Sequence, residues 1–180
     1  MTVLYEKYKK EVVPALKEEF GYKNVMAVPK IEKVIVNVGL SRALKEPKLM
    51  ERIQNDIAVV TGQKPAMRKA KKSIAGFKIR QGMDIGMLVT LRGRQAYDFL
   101  EKLVNIALPR TRDFRGIEEK NIDSFGNLNL GVKEQNIFPE IEFESTKDLF
   151  SFQITVVTTA KEHQRGVKLL KLMGFPIKTN

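Results

Sequence analysis

The residues best placed to do chemistry are the cations between positions 64 and 82. The string KPAMRKAKKSIAGFKIRQG holds Lys64, Arg68, Lys69, Lys71, Lys72, Lys78 and Arg80, and no acid. The whole chain has 32 Lys and Arg against 21 Asp and Glu, a net charge of +11, so most of the excess sits in this one segment. An ordinary solvated surface interleaves both signs. Charge this concentrated points to a polyanion, whose neutralisation releases condensed counterions. Phe77, flanked by Gly76 and Lys78, has the type and setting to stack on an unpaired base or a ribose while the cations hold phosphates. The glycines raise a nucleotide-phosphate cradle, but no G-x-x-x-x-G-K-[ST] or G-x-G-x-x-G string is present. The competing reading is a solvated basic loop with no ligand.

Few other side chains suit catalysis. The sequence has no Cys and a single His, His163, which is expected at the surface of the last helix near Glu162. A disulfide framework, thiolate metal sites and cysteine chemistry are excluded, and no nucleophile–His–acid triad can be assembled. Glu118-Glu119 and Glu140-x-Glu142 are paired carboxylates of the kind a Mg²⁺-dependent nuclease uses, but no nucleophile or ligand cluster accompanies them. The chain reads as a non-enzyme with no cofactor and no metal. An anionic membrane would call for a basic amphipathic helix with an exposed apolar face, often rich in Trp or Phe. Trp is absent, and the apolar stripes have core spacing. No window approaches the length of uninterrupted apolar residues that a span needs. Met1 to Lys10 is charged throughout, unlike a secretory signal. The expectation is a cytoplasmic protein with no membrane partner.

These groups must be positioned by a fold. A chain of 180 residues, 43% hydrophobic, can bury its own core. Leu4, Tyr8, Val12 and Leu16 recur every four residues and predict a helix over 2–20, stopped by Gly21 and kinked or split by Pro14. In 31–39, IEKVIVNVG, Val34, Val36 and Val38 face one way and Lys33, Ile35 and Asn37 the other, a strand with one core face. A helix is predicted over 47–61, with Pro47 at its first position, Leu49, Ile53, Ile57 and Val60 as its stripe, and Gly62 as its stop. Residues 66–70 read as a short strand and 71–83 as a mobile, exposed loop. In 84–92, Ile85, Met87, Val89 and Leu91 form the core face and alternate with Asp84, Gly86, Leu88, Thr90 and Arg92. A helix from about Arg94 to Leu108 follows, ended by Pro109. The stretch 110–148 is irregular, with short strands expected around 128–132 and 140–144. FQITVVT, 152–158, is the last strand. The last helix is predicted from Thr159, with Glu162 as its capping-box partner, to near Met173 before Gly174. The sum is an α+β fold of two layers, with three or four strands and about four helices packed on one face. Residues 1–180 read as one domain carrying a basic loop at 71–83 and an irregular insertion at about 110–148.

A sheet covered on one face leaves the other free. Lys33, Asn37, Thr90 and Arg92 fall there, and their amide, hydroxyl and cationic groups suit riboses, 2′-hydroxyls, base edges and phosphates. Gln63, beside the basic segment, is close enough in sequence to join them. Ordinary solvent-facing strand residues share this pattern, so pattern alone leaves the two readings level. Arg110, Arg112 and Arg115 are close-spaced and could touch phosphate. Residues 117–148, by contrast, hold eight acids against Lys120, Lys133 and Lys147. Such a segment avoids RNA and suits a basic protein, or is simply a polar loop. Composition and pattern thus lead to an RNA binder, with a free-standing RNA chaperone or single-strand binder as the alternative.

Several strings together resemble a known family. These are PKIEKVIVNVGL (29–40), TGQKP (61–65), RKAKKSIAGFKIRQG (68–82), LRGRQAYDFLEKL (91–103), LPRTRDFRG (108–116) and LLKLMGFP (169–176). They cover essentially the whole chain in the expected order. The sequence resembles the bacterial 5S rRNA-binding family, protein number five of the large ribosomal subunit. The resemblance implies an α+β fold with a mainly antiparallel sheet packed on helices, and a structural role in the central protuberance of the large subunit. It implies 5S rRNA contacts at Asn37, Gln63 and Thr90, with Lys33, Lys64, Arg68 and Arg92 as neighbours. It makes the loop Ser73, Ile74, Ala75, Gly76, Phe77, Lys78, Ile79, Arg80 and Gln81 the tip that reaches P-site tRNA. It turns the region after Pro109 toward the small-subunit head and its basic protein number thirteen. Neighbouring large-subunit rRNA and proteins complete the implied partners, within the cytoplasmic ribosome.

Overall fold

The computed structural model describes residues 3–41, 43–112, 114–141 and 149–178. Five strands form one antiparallel sheet: β1 Ile31–Gly39, β2 Ala66–Lys69, β3 Asp84–Leu91, β4 Leu128–Val132 and β5 Phe152–Thr158, in the order β2-β3-β1-β5-β4. The α-helices are α1 Val3–Lys7, α2 Val13–Phe20, α3 Pro47–Thr61, α4 Gly93–Lys102, α5 Leu108–Arg110 and α6 His163–Leu172. The expected α+β class holds, and the short strands β2 and β4 bring the sheet to five. The expected strand at 140–144 lies mostly outside the described residues. The chain divides into two compact units. Met1–Val34, Leu91–Leu130 and Thr155–Asn180 form the first, and Ile35–Thr90 with Gly131–Ile154 the second.

The strands have one apolar side and one mixed side. Val34, Val36 and Val38 are buried on β1, as are Met87, Val89 and Leu91 on β3 and Phe152, Ile154 and Val156 on β5. Burying each of these side chains contributes roughly 1.5–3 kcal/mol. A one-residue slip would turn the whole set outward, so the register is pinned. On β1 the spacing of buried residues changes between Ile31 and Val34, three apart, which leaves Glu32 exposed and Lys33 half-buried. Ile85, expected in the core, is only half-buried, because it lies near the start of β3, where the basic segment joins the sheet. A Cβ at Gly86 would come 3.1 Å from the Val38 carbonyl oxygen, so glycine there permits the close approach of β1.

The helix around Pro14 is interrupted, as expected, while Pro109 acts less sharply than expected. Pro14 lies near the start of α2, and the turn before it, Tyr8–Val12, is π-helical. Pro109 lies in α5 and follows a π-helical turn over Leu103–Ala107. A proline ring clashes with the carbonyl four residues back in a regular α-helix. Widening that turn relieves the clash, so helical backbone continues through each proline and runs on to Arg110 after Leu108. In contrast, α3 begins at Pro47 and ends at Gly62, whose φ of 69° is left-handed, as predicted. The capping box at Thr159 does not form. Thr159 Oγ1 instead accepts a hydrogen bond from the Lys30 amide at 3.0 Å, Lys161 turns left-handed at φ 61°, and α6 starts only after Glu162.

In the first unit the turn after Ile122 is held from several sides. Asp123 Oδ1 accepts the amides of Phe125 at 2.9 Å and Asn127 at 2.8 Å, and Oδ2 accepts the Asn127 side-chain amide at 2.9 Å. Thr158 Oγ1 donates to the Gly126 carbonyl at 2.9 Å. His163, expected at the surface, is half-buried, with Nδ1 3.2 Å from the Asp123 carbonyl oxygen. Gly126 adopts φ 84°, and a Cβ on Gly166 of α6 would come 2.3 Å from the Gly126 Cα. Burial alone would raise the Asp123 pKa, but the hydrogen bonds from Asn127, Phe125 and Gly126 outweigh it and lower the carboxyl below its ordinary 3.8.

This turn can be tested by stability. Gly166→Ala forces backbone apart from backbone and should cost about 3 kcal/mol, lowering Tm by roughly 6–12 °C in a thermal scan. Asp123→Ala should cost about 1–3 kcal/mol at neutral pH by urea titration. A carboxyl lowered in the folded state stabilises above its unfolded pKa and ceases to as pH falls through its folded value. The gap between wild type and Asp123→Ala should therefore narrow below pH 3.8. A gap constant with pH would contradict the role given to the charge.

Candidate nucleic-acid interface

The second unit carries most of the expected contact residues. Asn37 stands exposed on β1 between the buried Val36 and Val38. Thr90 is half-buried at the end of β3, on the side opposite Val89. β2 pairs antiparallel with β3, Ala66 opposite Leu88 and Arg68 opposite Gly86. Directly opposed strand residues share a face, so the exposed Arg68 stands on the same face as Leu88 and Thr90. Gln63 and Lys64, both exposed, precede β2, and the antiparallel register leads them toward the Thr90 end of β3. Gln63 has its backbone fixed by Thr61, whose Oγ1 donates to the Ile57 carbonyl at 2.6 Å and lies 3.0 Å from the Gln63 carbonyl oxygen. The structure thus brings an amide, a hydroxyl and a guanidinium onto one uncovered face. That set can hydrogen-bond riboses and base edges and neutralise phosphate.

Lys33 and Arg92 belong to the first unit and meet there. Lys33 Nζ lies 3.5 Å and Arg92 Nη1 3.6 Å from the same oxygen, Oε1 of Glu32. Glu32 partly neutralises both cations, which a count of positive residues overlooks. Surface ion pairs of this kind are weak, about 0–1 kcal/mol, and a phosphate can displace the carboxylate at small cost.

The basic segment beyond β2 is more regular than a loop. Ala70 and Met83 pair through N–H···O at 2.8 Å, Gly82 returns one to Ala70 at 3.0 Å, and Ile74 and Ile79 exchange bonds of 2.9 and 3.1 Å. Ser73 Oγ accepts the Gln81 amide at 2.9 Å. These bonds make 70–83 a hairpin closed by the short 3₁₀ turn Ala75–Phe77, with Lys78 left-handed at φ 55°. The pairing is carried by the backbone, so no side-chain period announces it. Phe77 stands 74% exposed at the tip, beside the exposed Lys78 and near Arg80. This is the geometry of an aromatic platform with phosphate partners.

The acidic stretch does not act as one block. Glu118 is hydrogen-bonded by Lys120, which holds its carboxyl below the usual range. Glu119 is paired with Lys171 at 3.0 Å, Asp123 is engaged in its turn, and Glu134 accepts Asn136 Nδ2 at 3.1 Å. Glu142, Glu144 and Asp148 lie outside the described residues. Arg110, Arg112 and Arg115 are exposed. The carboxylate pair Glu118-Glu119 is divided between two lysines, and among the described residues no group of three or more His, Cys, Asp or Glu could hold a metal ion. No helix among them is long and apolar enough to cross a membrane.

Ile35 and Leu88 are half-buried on the open face, as expected, but Glu32 carries a role that the sequence does not announce. Strand parity contained the signal for the first two. The clamp on Glu32 depends on Arg92, which precedes α4 and is distant in sequence, so no local pattern encodes it.

Comparison with known proteins shows the family. Residues 24–80 match the family model described as ribosomal protein L5, and residues 84–177 match the model of the same ribosomal family's C-terminus. The chain is 53% identical to the large ribosomal subunit protein uL5 of Halothermothrix orenii over 98% of both chains. It is 54% identical to that of Dictyoglomus turgidum over 99% of both, and 50% identical to that of Syntrophomonas wolfei over 99% of this chain and all of the relative. The chain belongs to the ribosomal protein L5 family, structural and non-enzymatic proteins of the large ribosomal subunit.

Proposed function

We propose that this protein binds 5S rRNA through the open face of its sheet and helps to build the central protuberance, while its basic hairpin reaches P-site tRNA. The observation that carries the reading is the exposed Asn37, held between two buried valines on an uncovered strand. Burial of the neighbouring valines fixes the backbone that carries this amide and the face it points from, which lowers the ordering cost of binding. Thr90 and Arg68 share that kind of surface, and A-form RNA offers 2′-hydroxyls and phosphates to match. The hairpin is suited to a different target. An exposed aromatic and cations on a narrow tip fit a single curved backbone better than a broad duplex.

The region after Pro109 faces the small-subunit head and its basic protein number thirteen in this reading. Charge supports that contact only in part, since Lys120 and Lys171 already pair Glu118 and Glu119. Neighbouring large-subunit rRNA is the natural partner of Arg110, Arg112 and Arg115, and the cytoplasmic ribosome is the setting. The alternative, a free-standing RNA chaperone, is disfavoured by identity that extends over nearly the full length of large-subunit proteins.

Two measurements test the division of labour. In a gel-shift titration with 5S rRNA at fixed salt, Asn37→Ala and Thr90→Ala should each weaken binding roughly tenfold, about 1–2 kcal/mol, with Tm unchanged. Full affinity in both variants, or equal wild-type affinity for an unrelated RNA of the same length, would remove the sheet face from the interface. Deletion of residues 74–81 should leave 5S affinity within about threefold of wild type, since sheet contacts and hairpin contacts are separate and such distant effects add. The same deletion should abolish crosslinking to P-site tRNA on assembled ribosomes. Loss of 5S binding instead would merge the two surfaces into one.

A further inference from the structure

The basic hairpin stands on a narrow footing. The pairing of β2 with β3 shifts register between Arg68 and Lys69, just where the hairpin leaves the sheet. From 70 to 83 only Ala70 is buried, and Ile79 and Met83 are half-buried. Little of its order comes from packing, so it rests on hydrogen bonds, each worth only a few-fold in an opening equilibrium.

One of these bonds runs through a sulfur. The Met83 amide donates to the Arg80 carbonyl at 3.2 Å, and the Arg80 amide donates to Met83 Sδ at 3.1 Å. The same four residues tie the two arms together. Gln81 donates its amide to Ser73 Oγ at 2.9 Å. Gly82, left-handed at φ 88°, donates to the Ala70 carbonyl at 3.0 Å, and the Met83 carbonyl accepts the Ala70 amide at 2.8 Å. The turn from Arg80 to Met83 therefore joins the arms at their root, and a thioether latches it.

The chain has no Cys, so its methionines are the only sulfurs that can take up oxygen. They differ in what depends on them. Met26 is 78% exposed, but its turn is ordered through its backbone amide, which donates to Asn24 Oδ1 at 2.9 Å. Met67 is half-buried on β2 and held by strand pairing. Met87 and Met173 are buried and shielded from solvent. Met83 combines access with a structural task for the sulfur itself.

We infer that Met83 is a modification site for small peroxides, and that its oxidation unlatches the basic hairpin. A sulfur lone pair attacks one peroxide oxygen and the O–O bond breaks. The departing hydroxide takes the proton from the transferred oxygen and leaves as water. The thioether is oxidised by two electrons to a sulfoxide, and the peroxide is reduced. The product sulfur carries partial positive charge, so it no longer accepts an N–H. A separation of 3.1 Å also leaves no room for an oxygen between sulfur and amide. The sulfoxide is polar and seeks water where the thioether was half-buried. The side chain leaves its seat, and Arg80 loses its acceptor. The latch belongs to the hairpin alone, so the inference does not depend on which RNA the hairpin meets.

Dilute hydrogen peroxide on the full-length, ¹⁵N-labelled protein tests this. Peptide mass spectrometry locates the sulfoxide, and NMR reads amide exchange residue by residue. Met26→Leu serves as the background, since it removes the most exposed competitor. Met83 should be fully oxidised while Met87 and Met173 remain thioethers. The Arg80 and Gln81 amides should then exchange roughly fivefold faster, with Val36 and Val89 unchanged. Reduction by the two methionine sulfoxide reductases should restore the original rates. Met83→Leu should show the fast exchange without peroxide and no further change with it. A Met83 that resists peroxide until Met87 reacts would overturn the inference. So would a sulfoxide at 83 with Arg80 exchange unchanged or slower. A Met83→Leu protein with wild-type exchange, or one whose hairpin still responds to peroxide, would overturn it too.

Discussion

Side chains on a β-strand alternate between two faces, and nearly everything in this protein depends on that alternation. Valines, leucines, isoleucines and other apolar residues on one side commit β1, β3, β4 and β5 to a core, and their register cannot slip without exposing them. The same commitment decides what is left over. Asn37 is displayed because Val36 and Val38 are buried, and Thr90 because Val89 and Leu91 are. The core does more than stabilise the sheet. It aims the polar residues and holds them still, which is the condition for a rigid contact surface.

The basic hairpin obeys a different rule. It has almost no buried side chain, and its order comes from cross-strand backbone bonds, a serine hydroxyl and a left-handed lysine. A tip built in this way has little to lose by moving and much charge to offer. Sheet and hairpin thus divide the proposed work. One is a fixed, largely neutral face with few cations, suited to reading shape. The other is a charged finger with one aromatic, suited to meeting a backbone wherever it passes. Glu32 adds restraint, since it occupies Lys33 and Arg92 until a phosphate replaces it.

Elements with a strong period were readable from the residues: β1, β3, β5 and α3 lie within a residue of where Val, Leu and Ile spacing put them. Local rules failed where a partner from elsewhere overrode them. Thr159 has the signature of a helix cap, but the Lys30 amide takes its hydroxyl, and α6 starts later. Pro109 is expected to end its helix, but a π-helical turn precedes it and helical backbone continues to Arg110. Ile85 follows the alternation of its strand, yet sits where that strand begins. Of the candidate site, strand parity gave Asn37 and Thr90, and charge gave the basic segment. The clamp at Glu32 needs its three-dimensional neighbours to be seen.

The central claim is that the uncovered face of the sheet receives 5S rRNA, and not the helices. Hydroxyl-radical footprinting of the side chains, with and without 5S rRNA, tests it directly. Ile35 and Leu88 are reactive aliphatic residues on the open face, and Ile106, 41% exposed, lies on the π-helical turn before α5. The RNA is predicted to protect Ile35 and Leu88 and to leave Ile106 as reactive as before. Protection of Ile106 with Ile35 and Leu88 unchanged would contradict the claim.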